Sequence, residues 1–86
     1  MKIEFTDSSK KQLKKIDNSN RNRILKYLFE IESLKDPRTR GKALEQNLKG
    51  LWRYRVGDYR IVCDIVDEKV TILVVKIGHR RDVNKA

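Results

Sequence analysis

Eighty-six residues, 38% hydrophobic and 38% charged, are enough for one compact domain with a single modest core and too few for two, so residues 1–86 read as one domain. Four glycines and one proline exclude a low-complexity chain, no run approaches the ~20 apolar residues of a membrane span, and Met1 to Phe5 have no signal-peptide core behind them, which makes the cytoplasm the expected location. A formal net charge of +9 asks for a polyanionic partner, whether nucleic acid, an acidic protein or an anionic surface, without choosing among them.

Residues 2–5 read as a short strand. Thr6, Asp7 and Ser8 are N-cap candidates for a short helix whose apolar positions include Leu13 and Ile16. Its charge run, Lys10, Lys11, Lys14 and Lys15, reads first as a solvated face and second as general attraction for RNA, with Lys10 and Lys14 as contact candidates. Asp17, Asn18 and Ser19 break this helix and cap a second one, in which Ile24, Tyr27, Leu28, Ile31 and Leu34 recur at helical spacing until Asp36-Pro37 stops it. The two segments form a helical hairpin. From Arg38 to Gly50 no period is visible, and Arg38, Arg40, Lys42 and Lys49 outnumber Glu45, which predicts a surface connection with a basic tilt and adds Lys49 to the RNA-contact candidates.

Leu51 to Val56, Tyr59 to Val66 and Lys69 to Ile77 are β-rich runs separated by Gly57-Asp58 and Asp67-Glu68, each suited to a two-residue hairpin loop. The first turn sets Arg55 opposite Arg60 and Arg53 opposite Val62. A two-residue second turn pairs Ile65 with Val70, Cys63 with Ile72 and Ile61 with Val74. Alternation then puts Trp52, Tyr54, Val56, Tyr59, Ile61, Cys63, Ile65, Val70, Ile72 and Val74 on a core face suited to the helical hairpin. Val62, Leu73, Val75 and Ile77 floor the other face, from which Arg53, Arg55 and Arg60 rise. A sheet covered on one side only is the mark of an α+β domain.

Like charges directly opposite each other cost a few tenths to ~1 kcal/mol unless an anion lies between them. The predicted register places Ile77 beside the Gly57-Asp58 turn, so the tail Gly78-His79-Arg80-Arg81 leaves the sheet there and Arg80 or Arg81 can join Arg55 and Arg60. Convergent guanidinium groups bond phosphate oxygens in pairs and stay charged, which makes the cluster a candidate phosphate site; solvated arginines paired with Asp58 or Asp64 are the structural alternative. His79 is the one side chain expected near this cluster whose ordinary pKa, ~6.5, suits proton transfer at neutrality. Trp52 reads as core and not as a stacking platform. Cys63, the single cysteine, reads as a small core residue, and with one His in the chain it does not build a usual zinc site.

The run Leu48-Lys49-Gly50-Leu51-Trp52-Arg53-Tyr54-Arg55-Val56-Gly57-Asp58-Tyr59-Arg60-Ile61-Val62, followed by Val74-Val75-Lys76-Ile77-Gly78-His79-Arg80-Arg81-Asp82-Val83, resembles the RelE branch of the RelE/ParE toxin superfamily. The likeness extends over almost the whole chain. It implies an α+β fold in which an N-terminal helical hairpin packs on a twisted, mainly antiparallel four-stranded sheet with a short helical C-terminal tail. It also implies an acidic antitoxin partner and metal-independent, cofactor-free cleavage of mRNA in the ribosomal A site. Arg53, Arg55, Arg60 and Arg80 match the basic residues of such a sheet face. The family usually follows the terminal valine with a tyrosine that moves a proton or stacks on a base, and this chain has Asn84, which does neither.

The reaction so implied is attack of an RNA 2′-hydroxyl on the adjacent phosphorus. Arg55, Arg60 and Arg80 stabilise the phosphate oxygens, Arg53 and Arg81 position RNA, and His79 or the residue at 84 handles protons, so that Asn84 either shifts the acid–base work to His79 or weakens the enzyme. Two other functions fit the resemblance and the composition: a gyrase-targeting ParE-like toxin, and a non-enzymatic module that binds RNA or antitoxin.

Overall fold

The computed structural model describes residues 1–79 and residue 81. The chain runs β1 (Lys2–Phe5), α1 (Asp7–Lys14), α2 (Asn18–Ser33), β2 (Lys42–Ala43), β3 (Trp52–Val56), β4 (Tyr59–Val66) and β5 (Thr71–His79), with 3-10 turns at Pro37–Thr39, Gln46–Leu48 and Asp67–Lys69. Among the described residues the strands form one sheet in the order β1-β5-β4-β3-β2, with β1 parallel to β5 and every other pair antiparallel. The α+β plan is as expected, with one correction: the sheet has five strands and not four. Lys42–Ala43, in the stretch read as a connection, pairs with Arg53 and Trp52. Two residues of strand carry no period that a sequence could display. The expected helical tail lies outside the described residues.

Local chemistry sets both helix starts. The Thr6 hydroxyl accepts from Ser9 N at 3.1 Å, and the Asp17 carboxylate accepts from Asn20 N at 3.1 Å, each satisfying an N–H that the first turn leaves without a partner. Helix α2 ends at Ser33, before the expected stop at Asp36-Pro37, because Leu34 is already extended. Ile16 after α1 and Ile24, Leu28 and Ile31 of α2 meet Tyr54, Val56, Ile61, Cys63, Ile72, Val74 and Ile77 of the sheet, with Trp52, Tyr59 and Ile65 packed around them. Each Ile, Leu or Val among the fully buried contributes roughly 1.5–3 kcal/mol. The same sheet face holds the loop after α2: the Tyr54 hydroxyl donates to Pro37 O and the Trp52 indole to Arg40 O, both at 2.7 Å. Gly41 (φ +80) is needed there, since a Cβ would stand 2.4 Å from the Arg53 carbonyl oxygen.

The β3–β4 hairpin has the predicted register, from Val56 opposite Tyr59 to Trp52 opposite Cys63. Its turn has positive φ at Gly57 (+58) and not at Asp58, as a type II′ loop requires. The β4–β5 connection differs from expectation. In place of a two-residue loop, Asp67–Lys69 make a 3-10 turn closed by Val70 N donating to Asp67 O at 3.0 Å, and Val70 adopts a left-handed conformation (φ 50). The register therefore slides by two, to Ile65 opposite Ile72 and Cys63 opposite Val74. A bulge then inserts Val75 between Val74 and Lys76, the partner of Val62, and reverses which face later residues join. Two expectations fall with it. Val70, expected in the core, is 59% exposed, and Ile77, expected on the open face, is a core residue opposite Ile61.

Beyond Val74, β5 has no strand beside it on the β1 side among the described residues, and α1 covers that edge. The Ser9 hydroxyl donates to Val74 O at 2.8 Å, and Gln12 Oε1 accepts from Ile77 N at 2.7 Å. These bonds fix the last residues of β5.

Candidate functional site

Both helices lie on one side of the sheet, and the register arranges the opposite side into cross-strand rows. One row runs Lys42, Arg53, Val62, Lys76 across β2, β3, β4 and β5; the next runs Arg55, Arg60, Gly78 across β3, β4 and β5. Five cations and no acid occupy these two rows. The acids of this face, Asp64 and Glu4, flank Leu73 further along the sheet, so the charge is segregated. Val62, between Arg53 and Lys76, is only 2% exposed, consistent with an apolar floor beneath the stems of long cationic neighbours.

Arg53, Arg55 and Arg60 come together as predicted, with Arg55 directly opposite Arg60. Arg55 is exposed, whereas Arg60 is 9% exposed, far more buried than a solvated surface arginine. The alternative of pairing with Asp58 or Asp64 is not seen for Arg53 or Arg55: among the described residues the ion pairs are Arg38–Asp67 at 2.9 Å and Arg40–Glu30 at 3.2 Å. Lys42 and Lys76 are members of this face that sequence reading missed. Lys76 reaches it only through the bulge, and Lys42 only because β2 exists.

His79 is placed differently from expectation. It lies opposite Tyr59, and Tyr59 packs against the core, so the imidazole lies on the helix-bearing side. The two rings meet edge-on with centroids 5.9 Å apart, and His79 shares a crevice with Gln12, Lys15 and Ile16. The residue that faces Arg60 is Gly78. The slide of two residues and the bulge together moved His79 to the place opposite Tyr59 that the expected register gave to Lys76. Arg81 is exposed, and its backbone N–H donates to His79 Nδ1 at 3.4 Å. Lys10 and Lys14 are exposed on α1, across the sheet from the arginine rows, and Lys49 is exposed in the connection before β3. Arg80 and Asn84 lie outside the described residues. No cluster of three or more His, Cys, Asp or Glu suited to a metal occurs among the described residues. No helix there is long and apolar enough to cross a membrane.

Such a face can bind an extended polyanion in two rows and stabilise negative charge on a phosphate between Arg55 and Arg60 through paired N–H donors. The chain matches, over residues 3–84, the model of a family described as the ParE toxin of type II toxin–antitoxin systems, parDE. It is 28% identical over 81 residues to Toxin RelG of Mycobacterium tuberculosis, covering 94% of this chain and 92% of that protein. It is 30% identical over 84 residues to the mRNA interferase toxin RelE of Escherichia coli, covering 91% and 81%. In three dimensions it resembles the toxin–antitoxin complex RelBE2 of M. tuberculosis, with a TM-score of 0.82 at 26% identity over 92% of this chain and 96% of that one. The isolated E. coli RelE toxin shares the fold, with a TM-score of 0.73 at 20% identity over 98% and 96%.

Proposed function

The chain belongs to the ParE toxin family of type II toxin–antitoxin systems, within the RelE/ParE superfamily, and from that premise we propose that it is an endoribonuclease that cleaves mRNA on the ribosome. The observation that carries this reading is the facing pair Arg55 and Arg60 within two adjoining rows of the open face that carry five cations and no acid. In the reaction the RNA 2′-oxygen bonds to the adjacent phosphorus and the bond to the 5′-oxygen breaks, leaving a 2′,3′-cyclic phosphate. The 2′-hydroxyl proton passes to water and the departing oxygen takes one from water. Arg55 and Arg60 stabilise the charge that builds on the nonbridging oxygens, an effect typically worth 10²–10³ in rate per donor. Arg80, which follows His79 in sequence, is assigned the same task on family likeness alone. Arg53 and Lys76, in the neighbouring row, hold the RNA backbone. With no imidazole on this face, alignment of the 2′-oxygen with the scissile bond becomes the main requirement, and the ribosome provides it by fixing the mRNA.

The partner assigned to the resting protein is an acidic antitoxin, by analogy with the RelBE complexes it resembles and in keeping with the charge of +9. A second reading, a toxin directed at DNA gyrase, is favoured by the description of the matching family model. Induction in a bacterial host followed by mapping of mRNA ends separates the two. Cuts inside translated codons support the ribonuclease, and intact mRNA with arrested DNA replication supports the gyrase toxin.

A further inference from the structure

Beside the basic rows, at the free edge of β3, lies a notch of about 240 Å³ lined by Tyr27, Gly41, Lys42, Arg53 and Arg55. It exists because β2 is so short. β2 pairs with Trp52 and Arg53, so among the described residues the stretch of β3 from Tyr54 to Val56 has no strand on that side, and α2 supplies the wall through Tyr27. Three of the five lining residues are cations and none is an acid. Nearby arginines are treated differently by the fold: Arg38 is paired with Asp67 and Arg40 with Glu30, while Lys42, Arg53 and Arg55 form no ion pair among the described residues. A concave, cation-lined surface concentrates positive potential more than the same charges do on a flat one.

The aromatic wall is held in place. Tyr27 meets Tyr54 edge-on at 5.9 Å and 61°, and the Arg40 guanidinium stands 5.5 Å from its ring centroid. Arg40 is itself anchored, by its bond to Glu30 and by the Trp52 indole on its carbonyl. A fixed ring beside three cations suits a ligand that joins a flat group to an anion. A carboxylate-bearing peptide would use the cations and leave the ring idle.

We infer that this notch is a nucleotide subsite for single-stranded RNA, in which Lys42 and the adjoining arginines hold one phosphate and the Tyr27 wall takes the attached base. The inference rests on the reading of the open face as an RNA site. Lys42, Arg53 and Arg55 belong to both and Tyr27 to the notch alone, so the nucleotide in the notch is next to the one whose phosphate lies between Arg55 and Arg60. A duplex does not enter a notch of this size, which restricts the ligand to an unstacked strand. The subsite thereby contacts a base, and gives the protein a means of preferring one nucleotide beside the cut.

The test is fluorescence anisotropy with a 2′-O-methylated pentanucleotide, which binds but cannot be cut, at several salt concentrations. Lys42→Ala is expected to weaken binding about five- to tenfold and to reduce the logarithmic salt slope by about 0.7, the value for one phosphate contact on a single strand. Tyr27→Leu is expected to weaken binding about tenfold with the slope unchanged, and to make no difference when the RNA has an abasic position in the notch. Lys42 is exposed, so its variant keeps the test valid if Tyr27→Leu disturbs the fold. If the parent protein binds the RNA and Lys42→Ala binds it equally well with the same slope, the subsite is overturned and the open-face reading stands. If the parent does not bind the RNA, both fall. If Lys42→Ala loses affinity for a Glu-rich peptide and none for RNA, the notch is a protein site and the inference is overturned.

Discussion

His79 stands directly across from Tyr59 at the ends of β5 and β4, its ring edge-on to the phenol with centroids 5.9 Å apart, on the side of the sheet that carries the helices. Arg55 and Arg60 project from the other side. A positioned acid or base is worth about 10²–10⁴ in rate, and an imidazole across the sheet from the phosphate does not deliver it. His79→Ala is therefore expected to retain ribosome-dependent mRNA cleavage within about tenfold of the parent. A loss greater than a hundredfold would mean that RNA reaches round the end of β5.

Lys76 sits in the row with Arg53, and its charge faces RNA in the proposed complex. Lys76→Ala is expected to weaken binding of single-stranded RNA about three- to tenfold and to lower the salt slope by about 0.7. Lys10→Ala, on the far side of the sheet, should leave the slope unchanged. Equal slopes for the parent and the Lys76 variant would remove Lys76 from the interface.

Val70 combines a β-branched side chain, a left-handed backbone and 59% exposure. Left-handed backbone costs an L-residue roughly 1–2 kcal/mol, and glycine escapes most of that at the expense of a more flexible unfolded chain. Val70→Gly is expected to stabilise the domain by about 1 kcal/mol, seen as a Tm higher by roughly 4–8 °C. A lower Tm would mean that the Val70 side chain contributes packing that outweighs the strain.

Burial pushes the Cys63 thiol up to about 12, and burial likewise raises the Tyr54 hydroxyl above its ordinary range. Between ~8.5, where an unfolded cysteine ionises, and 12, the folded chain keeps a proton that the unfolded chain has lost, so stability falls as pH rises. The slope from Cys63 approaches about 1.4 kcal/mol per pH unit, and Tyr54 adds to it above ~10. Urea midpoints are expected to fall steadily from pH 8.5 to 10 in the parent. In Cys63→Ala the decline over that range should be much shallower, from a lower starting value because a small cavity is left.

The sequence displays the β3–β4 hairpin in full, because Gly57 gives the turn a residue free to take positive φ and because alternation sorts Tyr54 and Ile61 from Arg55 and Arg60. It does not display the next connection. Nothing about a valine announces left-handed backbone, so a two-residue loop at Asp67-Glu68 is the natural expectation and the register slips by two. The bulge at Val75 is equally silent, and from it follow the burial of Ile77, the position of Lys76 on the basic face and the transfer of His79 to the helix side. Lys42 was visible as a charge, but its membership of the site depends on a two-residue strand. Helix limits were legible where a capping side chain marks them, as at Thr6 and Asp17, and less so at Ser33, where Leu34 turns extended before Asp36-Pro37 is reached.

The central claim is that guanidinium electrostatics on the open face drive RNA cleavage, and Arg55 tests it best because it is exposed while Arg60 is 9% exposed and its removal would also disturb packing. The measurement is the rate of mRNA cleavage in stalled ribosomes by the parent and by Arg55→Ala, with thermal melting of both. The account predicts a loss of about 10²–10³ in rate with the melting temperature unchanged or slightly raised, since one of two facing like charges has gone. Cleavage by Arg55→Ala at the parent rate would contradict it.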